Sequence, residues 1–362
     1  MDTPNTIPLP GNQRILALDT LRFIAAIIVV FEHCNSVYSM VPKLPFFLAG
    51  FFNAKSAVAF FFVLSGYVLH LSLKNKTLTP RSYASFMVKR VFRLYPLFYV
   101  SLALGALVLL GLPLSSIESL VNSYFTYETI RQNHHDVFQW LMQTTMVMPP
   151  IENTFFNPPM WTLTAELRIS ILFPLLSALL AILHWRIALA VTLLIFCASP
   201  TLADFTIPTI GMIPLFALGI ILARLVETKP AMKVPTAGLL VTGILLYCAA
   251  TWLDRKSIGV LGQFYVAGLG SAMIMLATIK NSFLSTSLSR PWLVSLGQCS
   301  YGIYILHFPI LLLTAYGFSF IKVPAFIFFG TVLVLTTLVS LLLYGLVEVP
   351  FINMGRKLAK KI

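Results

Sequence analysis

The sequence predicts an all-α polytopic membrane protein, a bundle of about ten transmembrane helices with both termini in the cytoplasm. Of the 362 residues, 58% are hydrophobic and only 10% are charged, and the mean hydropathy is +0.88. A soluble domain of this length does not have that composition. Apolar segments of about span length recur along the whole chain. The basic residues are also distributed unevenly between successive loops, which is typical of an oriented membrane protein.

Ten apolar segments define the predicted spans. They cover residues 15–37, 57–73, 94–112, 160–182, 186–200, 205–226, 234–253, 259–280, 298–318 and 323–347. The fifth is short for a span and is also compatible with a re-entrant segment. Residues 136–148 are semi-apolar and are compatible with an interfacial helix. We therefore expect a membrane domain over residues 15–350, preceded by a cytoplasmic tail (1–14) and followed by a basic cytoplasmic tail (351–362).

Loop charge predicts the orientation. Seventeen Lys and Arg residues fall in the termini and loops on one side, and six fall on the other. The positive-inside rule places the first side in the cytoplasm. This distribution explains the net charge of +13 without nucleic-acid binding. The four cysteines have no paired or metal-like spacing, and His134–His135 lacks the companions of a zinc site, so we predict no metal.

The first predicted span, LDTLRFIAAIIVVFEHC, carries four ionisable residues: Asp19, Arg22, Glu32 and His33. Each costs about 2.5–3.5 kcal/mol on insertion scales, so such residues persist where they pair or function. Arg22 and His33 are eleven residues apart, which puts them on one helix face about 16 Å apart. Asp19 is one turn before Arg22 and can pair with it. For His33, a helix–helix hydrogen bond and a catalytic role both remain open.

The second predicted span and the segment after it contain further polar residues. In FFFVLSGYVL we expect the Phe run to face lipid and Ser65–Gly66 to allow close approach of a helix or ligand. In KRVFRLYP, Lys89 and Arg93 share a helix face with Arg90 beside them. These cations fit ordinary positive-inside charge or anionic-lipid binding, and alternatively a clamp for the phosphates of a cytoplasmic ligand.

Two later spans open with polar groups. In MWTLTAELR, Glu166 and Arg168 are two residues apart and do not face each other, so each needs a partner on another helix. His33 and Arg22 are candidates for Glu166, as is a purely structural ion pair. In SYGIYILHFP, Tyr304 and His307 continue a polar stripe that starts at residue 300, a pattern that more often joins helices than catalyses.

In this order, LDTLRFIAAIIVVFEHC, FFFVLSGYVL, KRVFRLYP, MWTLTAE and SYGIYILHFP resemble the acyltransferase-3 family of bacterial membrane acyltransferases, over about residues 15–350. The resemblance implies a ten-helix enzyme of the bacterial cytoplasmic membrane. It implies that His33 is the catalytic histidine with Arg22 as its companion. Arg90 and Arg93 match the arginines associated with the CoA side, and Glu166 matches the family's acidic residue.

The resemblance implies an acetyl-CoA-dependent O-acyltransferase that modifies a hydroxyl of a surface polysaccharide or its lipid-linked precursor. Neutral imidazole at His33 suits a base for that hydroxyl, or an acyl carrier. Arg22, Ser65 and Tyr304 are candidate donors to the oxyanion. We assign Lys89, with Ser65 and Tyr304, to the donor side. The partners are then acyl-CoA, a glycan acceptor and membrane lipid, with homo-oligomerisation left open.

Two departures from the family pattern bear on the pocket shape. Glu32 stands where the family mostly has an apolar or aromatic residue, and Ser170 stands where an aromatic residue often follows the acidic one. The rival class is a proton-coupled transporter or flippase of a glycan or lipid, because buried ionisable groups also form proton relays. That class predicts internal repeats, and the sequence has no such symmetry.

Overall fold

The computed structural model describes residues 15–37, 45–74, 76–112, 141–146, 157–198, 208–228, 233–253, 255–321 and 323–362. These residues form helices and no strand, as an all-α fold requires. His134–His135 and most of the semi-apolar stretch 136–148 lie outside the described residues.

The helices follow the predicted apolar segments. In chain order they are α1 (Leu16–Val37), α2 (Phe46–Ala49), α3 (Ala54–Leu73), α4 (Pro80–Gly111), α5 (Met160–Ile182), α6 (Trp185–Cys197), α7 (Pro208–Thr228), α8 (Thr236–Ala249), α9 (Arg255–Lys280), α10 (Ser282–Leu288), α11 (Pro291–Gln298), α12 (Ser300–Gly317), α13 (Ala325–Leu343), a π-helical turn (Tyr344–Glu348) and α14 (Val349–Lys361).

Each of the ten predicted segments coincides with a helix, but the count of ten spans is not established. Within the described residues, seven helices are long and apolar enough to cross a membrane: α3, α4, α5, α7, α9, α12 and the continuous helix from α13 to α14. The helices α6 and α8 are apolar but have only 13 and 14 residues. The first helix, with 22 residues, carries Asp19, Arg22 and Glu32.

The helix α4 begins earlier than its apolar segment predicts. Thr79 and Ser82 form a capping box, and Pro80 occupies the first turn, where a missing N–H costs nothing. The helix then continues through Pro96 without restarting. As a result, Lys89, Arg90 and Arg93, which the sequence places on a helix, lie within one continuous helix that extends beyond Pro96.

Glycine contacts allow α3 and α7 to cross closely. A Cβ atom on Gly66 would collide with the backbone carbonyl of Phe216, and one on Gly219 would collide with that of Val63. This confirms the close approach predicted at Ser65–Gly66. The prediction that the Phe run faces lipid was wrong for two of its members, because Phe60 and Phe62 are 4% and 2% exposed. Both belong to the hydrophobic cluster that α3 forms with its neighbours.

Three apolar clusters meet around α1, α3, α4, α5 and α12. One joins α3 to α5, α7 and α9; one joins α1 to α12 and α13; and one joins α4 to α5 and α12. Pro309 in α12 removes the N–H that would satisfy the carbonyl of Ile305. Ser101 Oγ (2.7 Å) and Asn157 Nδ2 (2.6 Å) donate to that carbonyl instead. These bonds connect α12 to α4 and to the start of α5.

The C-terminal residues, assigned from sequence to a basic tail, lie in α14, which packs along the first half of α4. The Ser85 hydroxyl donates to the carbonyl of Ala359 (3.1 Å), and Gly355 packs against Phe92. The contact brings Arg356 and Lys360 close enough to Lys89 for their charges to interact. A basic surface is therefore assembled from two distant parts of the chain.

Candidate active site

The structure brings the predicted polar residues of α3, α4 and α5 into one cluster. Arg90 donates from Nη2 to Glu166 Oε1 at 2.6 Å and from Nε and Nη2 to Ser170 Oγ at 3.2 and 3.0 Å. Ser65 donates to Glu166 Oε1 at 3.3 Å. The charge-assisted bond is short, as expected for a guanidinium and a carboxylate. The partner of Glu166 is thus Arg90, which the sequence did not single out for it.

Ser170 has a specific function in this cluster. Its hydroxyl accepts from Arg90 and donates to the carbonyl of Glu166 one turn earlier, at 2.7 Å. An aromatic ring at this position would supply neither bond. The departure from the family pattern noted at Ser170 therefore gives the buried Arg90, which is 7% exposed, a second acceptor.

A second group of contacts joins α1 to α12 through two histidines. His33 Nδ1 and His307 Nε2 are 2.8 Å apart, and His307 Nδ1 is 2.7 Å from the carbonyl oxygen of Tyr304. The two rings are within 10° of parallel, with centroids 5.0 Å apart. His307 is completely buried, whereas His33 is partly exposed. His33 is therefore the more exposed member of the pair.

Tyr304 and Thr162 link the histidine pair to the charged cluster. The Tyr304 hydroxyl lies 2.8 Å from Thr162 Oγ1, which itself donates to the carbonyl of Pro159. Thr162 is one turn before Glu166 on α5, so both lie on the same face. Because their hydroxyl protons already have protein acceptors, Ser65 and Tyr304 are held in fixed orientations by Glu166 and Thr162.

Arg22 lies at the other end of the same α1 face. It pairs with Asp19 at 3.5 Å, as predicted, and it also interacts electrostatically with Glu166 and with Glu348 in the π-helical turn. Arg93 interacts with the same two carboxylates and keeps part of its surface exposed. The arginines of α1 and α4 therefore converge on one interior region.

Sequence analysis missed Glu348. It is 2% exposed, and neither carboxylate oxygen has a hydrogen-bond partner among the described residues. The available signal was an acidic residue inside an apolar run, YGLVEVPF. In the structure this residue ends a π-helical turn, a distortion often found at functional sites.

Glu32 has a structural role at the start of α3. Its carboxylate accepts from the backbone N–H of Ala54, the first residue of α3. A helix N-terminus has unsatisfied N–H groups and a partial positive charge, so it stabilises a carboxylate. Glu32 thus connects α1 to the start of α3 next to His33.

A cavity of about 390 Å³ opens between the ends of α3 and α5 and the start of α4. It is lined by His70, Lys74, Lys76, Tyr83 and Ser177, among others. His70 and Ser177 are joined by a 2.8 Å hydrogen bond. No group of three or more His, Cys, Asp or Glu side chains in the described part of the chain is placed to hold a metal ion.

The cavity and the charged cluster lie along the same interface between α4 and α5. Ser177 and Ser170 are seven residues apart on α5, and Tyr83 and Arg90 are seven apart on α4. A spacing of seven residues is about two helical turns, so each pair shares one helix face. The cavity therefore lies about 10 Å along the helices from Arg90 and Ser170.

Comparison with known proteins identifies the family. A family model described as an acyltransferase domain matches residues 15–345, which is nearly the whole chain. The chain belongs to the acyltransferase-3 family. This membership implies an acyl donor and an acceptor, and an acyltransferase that moves groups other than aminoacyl groups.

Two curated proteins are similar to this acyltransferase. "Acyltransferase MdmB" of Streptomyces mycarofaciens is 23% identical over 281 residues, covering 70% of this chain and 67% of its own length. "Protein 2 in picA locus" of Rhizobium radiobacter is 34% identical over 110 residues, covering 28% of this chain and 51% of its own length. No solved structure gives a significant match to the chain.

Proposed function

We propose that this acyltransferase moves an acetyl or related acyl group from cytoplasmic acyl-CoA to a hydroxyl of a surface polysaccharide or its lipid-linked precursor. It does so in the bacterial cytoplasmic membrane, with both termini in the cytoplasm. The observation that carries the proposal is the partly exposed His33 held by buried His307 and connected through Tyr304 and Thr162 to the Arg90–Glu166 pair. An apolar bundle gains nothing by holding these groups, because each one is costly in hydrocarbon.

The acyl donor is proposed to enter from the basic end of the bundle. CoA is polyanionic, so its phosphates stay outside hydrocarbon. Lys89 lies close to Lys76, Arg356 and Lys360 and contributes to a surface of like charge. Such a surface attracts phosphate groups, with an attraction that salt weakens. The pantetheine arm then follows the cavity beside Tyr83 toward the site.

The arginines of α4 divide into two roles in this proposal. Arg90 is already bound to Glu166 and Ser170, so it holds the polar cluster of α3, α4 and α5 together. Arg93 has no hydrogen-bond partner within the described residues and is partly exposed, so it is available to the donor's phosphate or carbonyl groups. Ser65 and Tyr304, which bond to Glu166 and Thr162, are assigned to the donor side of this route.

The proposed reaction forms an ester and releases CoA. The acceptor oxygen attacks the thioester carbonyl while His33 accepts the hydroxyl proton. Arg22 is paired with Asp19 about three helical turns from His33, too far away to donate to the oxyanion, so we assign it to the donor side of the site. The C–S bond then breaks, and the departing thiolate takes the proton from His33. In the acyl-carrier route, His33 attacks the thioester carbonyl and the C–S bond breaks to release CoA thiolate; the acceptor oxygen then takes the acyl group from His33, and its proton goes to the thiolate.

The test uses purified protein in proteoliposomes with radiolabelled acetyl-CoA on the side that carries the basic surface. The acceptor is lipid-linked saccharide extracted from membranes of the native bacterium. We expect label in the saccharide with wild type, and a loss of at least about 100-fold with His33→Gln. The matched control is His184→Gln, an exposed histidine in the loop between α5 and α6. Wild-type transfer by His33→Gln would contradict the proposal. Movement of unmodified saccharide across the vesicles would favour a transporter.

A further inference from the structure

We infer that His307 is a positioning residue that holds His33 in the tautomer with a proton on Nδ1 and a lone pair on Nε2, so that Nε2 is the reacting atom. This inference rests on the proposed function, because it takes His33 as the group that reacts. It assigns a role to His307 and an atom to His33.

The argument starts at the carbonyl of Tyr304. A carbonyl oxygen only accepts, so the 2.7 Å contact requires a proton on His307 Nδ1. The His307 ring also interacts with the backbone of Ile303. His307 is completely buried, and its described contacts include no carboxylate, so the ring is held neutral. A neutral imidazole has one N–H, and it is on Nδ1.

The second step shows what the proton on His307 Nδ1 implies for His33 on α1. With its proton on Nδ1, His307 presents a lone pair at Nε2, which must accept a hydrogen bond. The only donor at that contact is His33 Nδ1, 2.8 Å away. Near-parallel rings with centroids 5.0 Å apart fit two imidazoles joined edge to edge, with the bond close to both ring planes. His33 therefore carries its proton on Nδ1.

The third step concerns the reacting atom. A neutral His33 with a proton on Nδ1 has its lone pair on Nε2, and this nitrogen has no hydrogen-bond partner among the described residues. The base route and the acyl-carrier route both need that lone pair. When Nε2 takes the acceptor's proton, Nδ1 keeps its bond to His307, so the ring does not reorient.

The tautomer is tested directly in a way that does not depend on activity. The chain has six histidines, so a nitrogen NMR spectrum of ¹⁵N-histidine protein in lipid nanodiscs is simple enough to assign. Comparison with His33→Gln identifies the signals of His33. At a pH where the ring is neutral, we expect a protonated Nδ1 and an unprotonated Nε2. The reverse protonation at His33 would overturn the inference.

The role of His307 is tested with two substitutions of similar size. In His307→Gln the side-chain carbonyl replaces Nε2 as the acceptor, and in His307→Leu there is no acceptor. We expect His307→Leu to lower kcat at least about 100-fold, within the range that general-base catalysis contributes. The KM for acetyl-CoA should change less than about threefold, because donor binding is not affected. We expect His307→Gln to recover to within about tenfold of wild type.

The outcomes separate this inference from the proposed function. Equal losses in His307→Leu and His307→Gln, or a wild-type kcat in His307→Leu, would overturn the positioning role even if His33→Gln is inactive. An active His33→Gln would instead contradict the proposed function. His184→Leu is the control for a histidine-to-leucine change outside the site, and we expect wild-type kcat from it.

Discussion

The Arg90–Glu166 ion pair makes a strong prediction about stability. Their side chains are 8% and 20% exposed, and the nitrogen–oxygen distance is 2.6 Å. Removing one partner of a buried pair typically costs about 3–5 kcal/mol, because the other charge is left uncompensated. Glu166→Leu leaves the more deeply buried Arg90 uncompensated, so we expect about 3 kcal/mol for it, and about 2–3 kcal/mol for Arg90→Met, which leaves the more exposed Glu166.

The double variant measures the interaction energy between Arg90 and Glu166 themselves. With both charges removed, no uncompensated charge remains, so Arg90→Met/Glu166→Leu should cost less than the sum of the single changes. We expect a coupling energy of about 2 kcal/mol, toward the upper end of the range for contacting residues. The free energies of unfolding are to be measured by SDS titration in mixed micelles.

A more exposed ion pair in the same chain serves as the control for this double-mutant cycle. Lys74 and Glu227 form an ion pair at 3.0 Å with side chains 32% and 24% exposed. Such pairs contribute about 0.2–1 kcal/mol, because solvent screens them. A coupling energy for Arg90–Glu166 no larger than that for Lys74–Glu227 would refute the conclusion that the interior pair is desolvated and holds the polar cluster of α3, α4 and α5 together.

Three further changes test the packing and the basic surface. Gly66→Leu should cost more than about 2 kcal/mol of unfolding free energy, because the added side chain separates α3 from α7. The control Gly330→Leu places its side chain in open space and should cost under about 1 kcal/mol. Similar values for the two variants would contradict the close crossing of α3 and α7. Asn157→Leu leaves the carbonyl freed by the proline of α12 with one donor instead of two, and we expect a loss of about 1–3 kcal/mol in the same titration. Lys360→Glu should raise the KM for acetyl-CoA about five- to tenfold with kcat unchanged, and the effect should shrink at 0.5 M salt; an unchanged KM would exclude this surface from donor binding.

The sequence predicted the elements of the fold better than their partners. Hydropathy located every long apolar helix, and local spacing correctly paired Asp19 with Arg22, because both depend on residues near each other in the chain. The partner of Glu166 is 76 positions away on α4 and was not predicted. Helical periodicity says which residues share a face, but it does not say which helix that face meets. For the same reason it did not predict that Phe62 is buried.

The start of α4 illustrates a second limit of the sequence. The apolar run begins at about residue 94, yet the capping box at Thr79 starts the helix fifteen residues earlier. Hydropathy detects contact with lipid, whereas a helix begins where its first N–H groups find acceptors. The difference matters for function, since the early start of α4 makes Arg90 part of a long continuous helix, on which it is buried and contacts Glu166.

Charged side chains converge in one interior region of this acyltransferase. Three carboxylates and three guanidiniums interact around one region of the bundle: Asp19, Glu166 and Glu348 with Arg22, Arg90 and Arg93. Asp19 and Glu166 can stay ionised in low dielectric because each is paired with a guanidinium, whereas the carboxylate of Glu348 has no hydrogen-bond partner among the described residues. A proton relay needs groups that change charge in turn, which a paired guanidinium does not do. The paired charges instead form a preorganised field, and we assign the proton transfer to the imidazole of His33. That division suits a site in which a neutral thioester develops negative charge on its oxygen while one imidazole moves the proton.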